Sequence, residues 1–464
     1  MAALEVWMNG EHVGTWTATR SGVPTFTYDT QWTRSPSARA LSLSLPITAG
    51  NSEHRGAAVA HYFENLLPDS AAIRQRLATR FMTRSTAAFD LLTAIGRDCV
   101  GAVQLLPEGM APNGWNRIDS SPLSDDQVER ILVDASSALP LGQRHDNDDH
   151  FRISIAGAQE KTALLRFGGR WRRPHGATPT THILKLPLGM VGNMRADLTD
   201  SVENEWLCAQ IVRELGLQVA TTEMARFGKQ RALVVERFDR RWQGIAQGAQ
   251  NAAGFAPPKN AWIARLPQED LCQATGTAPI LKYEADGGPS MQTCLEVLAG
   301  SERANSDRLH FVLTQLAFWL LAATDGHAKN FSLFHRRGGS FCSTPLYDVI
   351  SAWPIIGKGP NLVSEHGAKL AMALRAKNTH YGLREIHARH WLALAQRCGV
   401  EAAWHPMIAM ALEVEAAFGR VQALLPKGFP PRVWNAVQAG TARHADQFLR
   451  EAAALPAALK PASK

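Results

Sequence analysis

Through residues 151–240 the apolar residues fall in short strand-like runs, "FRISIA", "KTALLRFGGRWRR", "THILKLPL" and "RALVVERFDR". After Ala261 they recur at helical spacing instead. Periodicity of this kind is the primary signal of secondary structure. A strand-rich half that hands over to a helical half implies an α+β architecture with two lobes around a cleft, where ligands commonly sit. One helix breaks the strands: "SVENEWLCAQIVRELGL" ends at Gly216, a suitable C-cap. One hairpin breaks the helices: "NFSLFHRRGGSFCSTPLYDV" turns at Gly338-Gly339. The tail from Ile386 is helical, interrupted by Pro and Gly near 426–431.

Upstream, "LEVWM" and "EHVGTW" alternate around Asn9-Gly10, a pair suited to a two-residue turn with positive φ. From about Ala57 the pattern becomes helical. Residues 1–108 therefore read as a β-rich module closed by helices, and 109–150, rich in Pro, Asn, Asp and Ser, as a linker. The linker holds one helical stretch, "SDDQVERILVDASSAL". Residues 151–240 form a strand-rich lobe and 241–464 a helical lobe. A length of 464 residues agrees with more than one domain.

The net charge of +7 is compatible with a polyanionic partner, although over this length it also fits a generic basic surface. Cys99, Cys208, Cys272, Cys294, Cys342 and Cys398 are scattered, with no C-x-x-C pair, as expected of reduced thiols. The first residues lack a basic region followed by an apolar core, so no signal peptide is expected. The most apolar run, "LTQLAFWLLAATDGHAK", meets charge after Ala323 and falls short of the ~18 residues of a membrane span. A soluble, cytoplasmic protein with no membrane partner is expected.

Chemistry concentrates in "TDGHAKNFSLF...LYDV". Asp325 and Asn330 have the D-x-x-x-x-N spacing of a protein-kinase catalytic loop, in which a carboxylate accepts a hydrogen bond from the attacking hydroxyl and an amide oxygen holds Mg²⁺. Asp348, after the hairpin, stands where a second carboxylate would join the metal. Ala323-Thr324 replace His-Arg before Asp325, and "YDV" replaces D-F-G, so the order is kinase-like while the letters are those of an atypical kinase. Singly, Asp325 reads equally as a helix stop, Asn330 as a turn residue and Asp348 as an exposed loop acid. In this order, below a lysine strand, they favour phosphoryl transfer.

That lysine is Lys185 in "THILKLP". Among apolar strand neighbours its charge calls for a phosphate or a carboxylate. Glu203 and Glu205 open the next helix and either is placed to pair with it, Glu205 being preferred; both also suit the helix dipole. Glu236, Arg237 and Phe238 end a strand and could form a hinge whose backbone meets adenine. Lys329 could neutralise charge on a transferring phosphoryl group. His327 with Asp325 and Asp348 would alternatively fit a metal-dependent phosphohydrolase, but no H-x-H or H-E-x-x-H pattern accompanies them. "SIAGAQEKT" resembles a phosphate-binding P-loop only loosely, since Ile155 and Glu160 stand where that pattern has glycine.

"FENLLPD", "RISIAGAQEKTALL", "THILKLP", "VVERFDR", "RLPQEDLCQATG", "ATDGHAKNFS", "YDVISAWP" and "KLAMAL" resemble, in order and over nearly the whole chain, the signatures of the HipA serine/threonine kinases. These are toxins of bacterial toxin–antitoxin modules. The resemblance implies a two-lobed protein-kinase-like fold related to lipid and atypical kinases, with an extra β-rich N-terminal domain. It implies ATP and Mg²⁺ as cofactors, Asp325 as catalytic base, Asn330 and Asp348 as metal ligands, and Lys185 on the phosphates. Ala156, Gly157, Ala158, Gln159, Glu160 and Lys161 would cover ATP, and Glu236–Phe238 would be the hinge. His327 and Asn330 would contact nucleotide, with Tyr347 beside Asp348. Ser154 matches the family's autophosphorylated serine. The implied partners are a small helix-turn-helix antitoxin, operator DNA through that complex, and an aminoacyl-tRNA synthetase as substrate, typically the glutamyl enzyme. A degenerate kinase acting only as a DNA-bound co-repressor is the alternative; the retained Lys185, Asp325, Asn330 and Asp348 argue against it.

Overall fold

The computed structural model describes residues 2–18, 22–135, 159–192 and 195–455. It is α+β and divides into two compact units that each draw on separate stretches of chain. One comprises Met1–Leu186, Ala225–Ile280 and Ser332–Phe341; the other comprises Pro187–Met224, Leu281–Phe331 and Cys342–Lys464.

In the first unit, strands His54–Arg55, Pro24–Tyr28, Glu11–Ala18, Ala2–Met8 and Val103–Pro107 form a five-stranded sheet in that order. The expected hairpin is present: Met8 pairs with Glu11 across Asn9-Gly10, whose φ values of 49° and 84° match the positive-φ turn. Leu4, Val6 and Met8 alternate inward. They pack with Trp16, Phe26 and Phe63, the last stacked on Trp16 at a ring separation of 3.8 Å.

A six-stranded sheet runs in the order Thr222–Phe227, Gln230–Glu236, His182–Lys185, Lys161–Phe167, Arg170–Pro174 and Ser120–Pro122. The last of these strands lies within 109–150, the stretch read from composition as a linker. Ser120–Pro122 pairs with Pro174–Arg172, and helix Asp125–Ala135 inserts Val128 and Leu132 among Leu164, Leu184 and Val234. The polar composition reflects a sheet edge and an amphipathic helix, each with one wet face.

The β-rich module and this sheet belong to one compact unit, and buried charge joins them. Asp98, after helix Ala88–Ile95, accepts from Thr180 Oγ1 at 2.7 Å, Arg240 at 2.9 Å and Arg265 at 3.1 Å. Asp239 accepts from Arg237 at 2.8 Å and from the Gly101 N–H at 2.7 Å.

The second unit holds helices Ser201–Glu214, Met291–Leu298, Ala304–Leu320, Ala388–Arg397, Trp404–Gln422 and Pro431–Ala454. Its core includes Trp319, Trp391, Trp404 and Phe448. The apolar run read from the sequence is buried here in helix Ala304–Leu320. Among the described residues no helix is long and apolar enough to cross a membrane. Helix Ser201–Glu214 was assigned by sequence to the strand-rich lobe, yet it clusters with the helical unit. It is buried along nearly its whole length, so it needs partners on every side. Asn204 supplies one link through its side-chain amide, whose Nδ2 donates to Ser351 O at 2.8 Å and whose Oδ1 accepts from the Ser351 N–H at 3.0 Å.

Candidate active site

Helix Ala304–Leu320 ends in a left-handed residue, Ala322 (φ 49°), and the chain reverses into Asp325-Gly326. Only glycine fits at 326, because a Cβ there would lie 2.2 Å from the Phe318 ring. The next residues close on themselves. The His327 N–H donates to the Asp325 carbonyl at 2.8 Å, the Asn330 N–H donates to His327 O at 2.9 Å, and Asn330 Nδ2 donates back to Asp325 O at 2.8 Å. The five-residue separation of Asp325 and Asn330 thus has a mechanical cause: the amide nitrogen holds the loop shut, leaving Oδ1 as the acceptor for a cation. His327, Lys329 and Asn330 are buried, whereas the Asp325 side chain is 51% exposed. An exposed carboxylate on a closed, buried loop is well placed to receive a hydroxyl from solution.

Tyr347 reaches this loop, its phenol donating to Lys329 O at 2.8 Å. Asp348 follows in the left-handed region, with φ 58°. Such a conformation persists in a non-glycine residue only where its surroundings determine it. Here Leu346 is bonded on both sides, its N–H to Gln218 O at 2.9 Å and its carbonyl from the Ala220 N–H at 2.8 Å. Ser351 adds an Oγ bond to Leu321 O at 2.6 Å and the Asn204 pair. The segment carrying Asp348 is therefore tied both to the helix of Glu203 and Glu205 and to the end of the helix preceding Asp325. Both glutamates are buried.

Mg²⁺ fits the donor chemistry of Asn330 and Asp348, two oxygen ligands of the kind this ion takes while sharing its remaining positions with water and phosphate. Among the described residues no group of three or more His, Cys, Asp or Glu side chains is gathered as a metal cage.

In the first unit Lys185 is buried at the end of its strand, opposite Leu233 on one neighbour and Lys161 on the other. Like charges directly opposite destabilise a sheet. Lys161 and Lys185 lie directly opposite each other on neighbouring strands. Glu160 is engaged by Arg76, and Gln159 Nε2 donates to Leu186 O at 2.5 Å. Ser154, Ala156, Gly157 and Ala158 lie outside the described residues.

Of the expected hinge, Glu236 pairs with His182 and Phe238 packs edge-on against Phe334. Arg237 also has a part in the fold. Its N–H donates to Thr181 O at 2.9 Å, and its buried guanidinium serves Asp98 and Asp239. Its side chain thus braces the strand end from behind.

Two residues escaped the sequence reading. Asn204 lies between the two glutamates that drew attention. Tyr283 donates its hydroxyl to Asp325 Oδ1 and sets its ring edge-on to His327 at 5.1 Å. No spacing rule links Tyr283 to the loop; the double glycine of "KYEADGGP" marks only a turn.

The HipA N-terminal domain model matches residues 4–106, and the HipA-like C-terminal domain model matches residues 153–421. The chain is 32% identical over 404 residues to a provisionally named kinase, Y4mE, of Sinorhizobium fredii, covering 86% of each. It is 26% identical over 349 residues to the serine/threonine-protein kinase toxin HipA of Shewanella oneidensis, covering 72% of this chain and 70% of that one. A solved complex of HipA, HipB and operator DNA from Shewanella oneidensis contains a chain matched with a TM-score of 0.75 at 21% identity, over 97% of this chain and 98% of that chain, which shows the fold. A family model covering more than half of the residues, together with a full-length relative of this identity, establishes that the chain belongs to the HipA family.

Proposed function

We propose that this protein is an ATP- and Mg²⁺-dependent serine/threonine-protein kinase acting as a growth-arresting toxin in the cytoplasm. Its substrate is an aminoacyl-tRNA synthetase, the glutamyl enzyme first among them. A small helix-turn-helix antitoxin neutralises it and carries it to operator DNA, where the pair represses its own operon. The observation that carries this reading is the closed 325–330 loop, which presents one exposed carboxylate while fixing Asn330. A phosphoryl transferase needs that division of labour. Asp325 accepts the hydrogen bond of the attacking serine and takes its proton as the serine oxygen bonds to the γ-phosphorus and the bond to the bridging oxygen breaks, releasing ADP. Asn330 and Asp348 hold Mg²⁺, which when bound neutralises charge on the nucleotide phosphates. Lys161 and Lys185 are the phosphate-binding lysines of the strand-rich unit, and Lys329 adds positive charge at the 325–330 loop. Incubation with radiolabelled ATP, Mg²⁺ and purified glutamyl-tRNA synthetase tests the activity. Labelled serine on the synthetase is expected; ATP turnover that leaves every added synthetase unlabelled would refute the substrate class.

The metal role makes a separate prediction. Asp348→Ala should weaken nucleotide binding in Mg²⁺ by at least about tenfold while leaving Mg²⁺-free binding nearly unchanged, because only the former uses the carboxylate as a ligand. Calorimetric titrations with and without Mg²⁺ read this directly. Equal losses in both would remove Asp348 from the metal.

Ser154 is proposed as the site of self-inactivation. A phosphoserine adds about −1.5 to −2 charges. Beside a triphosphate whose nearby donors are already engaged, that charge raises the free energy of any loop conformation covering ATP. Protein incubated with ATP and Mg²⁺ should gain one phosphate, mapped to Ser154 by peptide mass spectrometry, and lose ATP affinity. Phosphate found elsewhere, or unchanged affinity after modification, would discard the switch.

A further inference from the structure

We propose that Tyr283 gates the acceptor side of Asp325. Its phenol occupies the carboxylate oxygen that an incoming substrate hydroxyl needs, and it keeps water from using that oxygen when no protein acceptor is bound. The inference rests on the reading of Asp325 as the base and adds a residue that controls access to it.

The contact is directed and built. The Tyr283 hydroxyl donates to Oδ1 of Asp325, the same oxygen that faces His327 Nε2 at 3.7 Å. The ring is steadied by its edge-on contact with His327. Its backbone is anchored independently of the catalytic carboxylate. Glu284, buried next to it, accepts from the Ala373 N–H at 2.7 Å and from Arg375 Nε at 2.8 Å. The Tyr283 carbonyl closes a tight turn, accepting from the Gly288 N–H at 2.9 Å, and the Lys282 carbonyl accepts from the Ala328 N–H of the catalytic loop. Tyr283 itself is only half-buried, so a rotation about its side-chain bonds can carry the phenol off Asp325 without disturbing these anchors.

The chemistry sets the direction of the effect. A phenol is a stronger hydrogen-bond donor than an aliphatic hydroxyl or water, since its proton is the more acidic. Oδ1 held by Tyr283 is therefore not surrendered to a passing water, whose attack on the γ-phosphate would consume ATP without product. A docked protein acceptor brings its serine or threonine with binding energy from the rest of its surface, and that energy offsets displacement of the phenol. The exchange substitutes one O–H donor for another. Tyr283 neither gains nor loses a proton, and the proton that Asp325 takes during transfer comes from the acceptor.

ATP hydrolysis in acceptor-free buffer decides the matter, measured for the full-length protein, Tyr283→Phe, Asp325→Asn and the double variant. Phenylalanine keeps the ring against His327 and leaves the Glu284 anchor untouched, so an unchanged melting temperature is expected. Tyr283→Phe should raise acceptor-free hydrolysis about tenfold, the factor of one hydrogen bond to a charged group. The double variant should be as inactive as Asp325→Asn. A residue that merely supports the loop would lower turnover instead. Unchanged or reduced hydrolysis in Tyr283→Phe therefore overturns the gate, as does a rise that persists in the Asp325→Asn background. Failure of the underlying reading looks different: Asp325→Asn alone would then retain hydrolysis.

Discussion

Asp325→Asn should yield a folded, nucleotide-binding protein whose phosphoryl transfer falls by about 10²–10⁴-fold, the usual contribution of a positioned general base. The geometry separates the two consequences cleanly. What the fold takes from this residue is its carbonyl, which accepts from Asn330 Nδ2 and from the His327 N–H, and neither bond involves the side chain. The carboxylate is half-exposed, so an amide of the same shape costs little there. What chemistry takes is a lone pair able to become an O–H bond, and an amide oxygen cannot hold that proton near neutral pH. Radiolabelled transfer measured beside thermal melting and ATP titration checks the prediction. Near wild-type transfer by a folded variant would remove Asp325 from its role.

The candidate loop was legible because its logic is local. Asp325 and Asn330 bond across five residues, a distance over which spacing in sequence constrains spacing in space. The Asn9-Gly10 hairpin was legible for the same reason, since its two positive φ values belong to adjacent residues. Legibility failed where contacts are distant. Glu284, which anchors Tyr283, reaches Ala373 over 89 residues, and nothing in the local pattern foretells it. The buried ion pair of Arg237 was hidden for the same reason. Its partner Asp98 lies 139 residues away, and that separation hides a buried pair from any window. Composition is ambiguous over residues 120–135 in a related way. A polar stretch can be a linker or the wet face of an edge strand and helix, and only pairing with Arg172–Pro174 decides which.

That buried cluster carries the largest stability effect expected in the molecule. Asp98, Arg237, Asp239, Arg240 and Arg265 are all buried, three cations against two anions. Asp98 contributes one carboxylate to all three guanidinium groups, at 3.4 Å from Arg237, 2.9 Å from Arg240 and 3.1 Å from Arg265, and takes hydrogen bonds from Thr180. Asp98→Ala leaves Arg237 and Arg240 sharing Asp239 and removes the carboxylate that Arg265 faces. Removing one partner of a buried pair costs roughly 3–5 kcal/mol, because the remaining charge stays desolvated. Burial by itself would raise the Asp98 carboxyl, but Arg240, Arg265 and Arg237 override it and hold the group well below the usual carboxylate range. The sign of the pH dependence follows. A depressed folded pKa contributes stability that is complete above the unfolded value, about 3.9, and is lost as pH falls from there through the folded value. The difference between wild type and variant should thus be full at pH 7 and shrink below about pH 4. Urea midpoints at pH 7 and pH 3.5 measure it, and hydrogen exchange at residues 98–101 and 237–240 locates it. Because the cluster joins the β-rich module to the strand ending at Glu236, protection should fall in both segments together. Asp98→Asn, which retains the shape and an acceptor for Thr180, should lie between wild type and alanine. A pH 7 midpoint unmoved by Asp98→Ala would show that the three arginines are accommodated without this carboxylate, and the join between module and sheet would then rest on its apolar contacts.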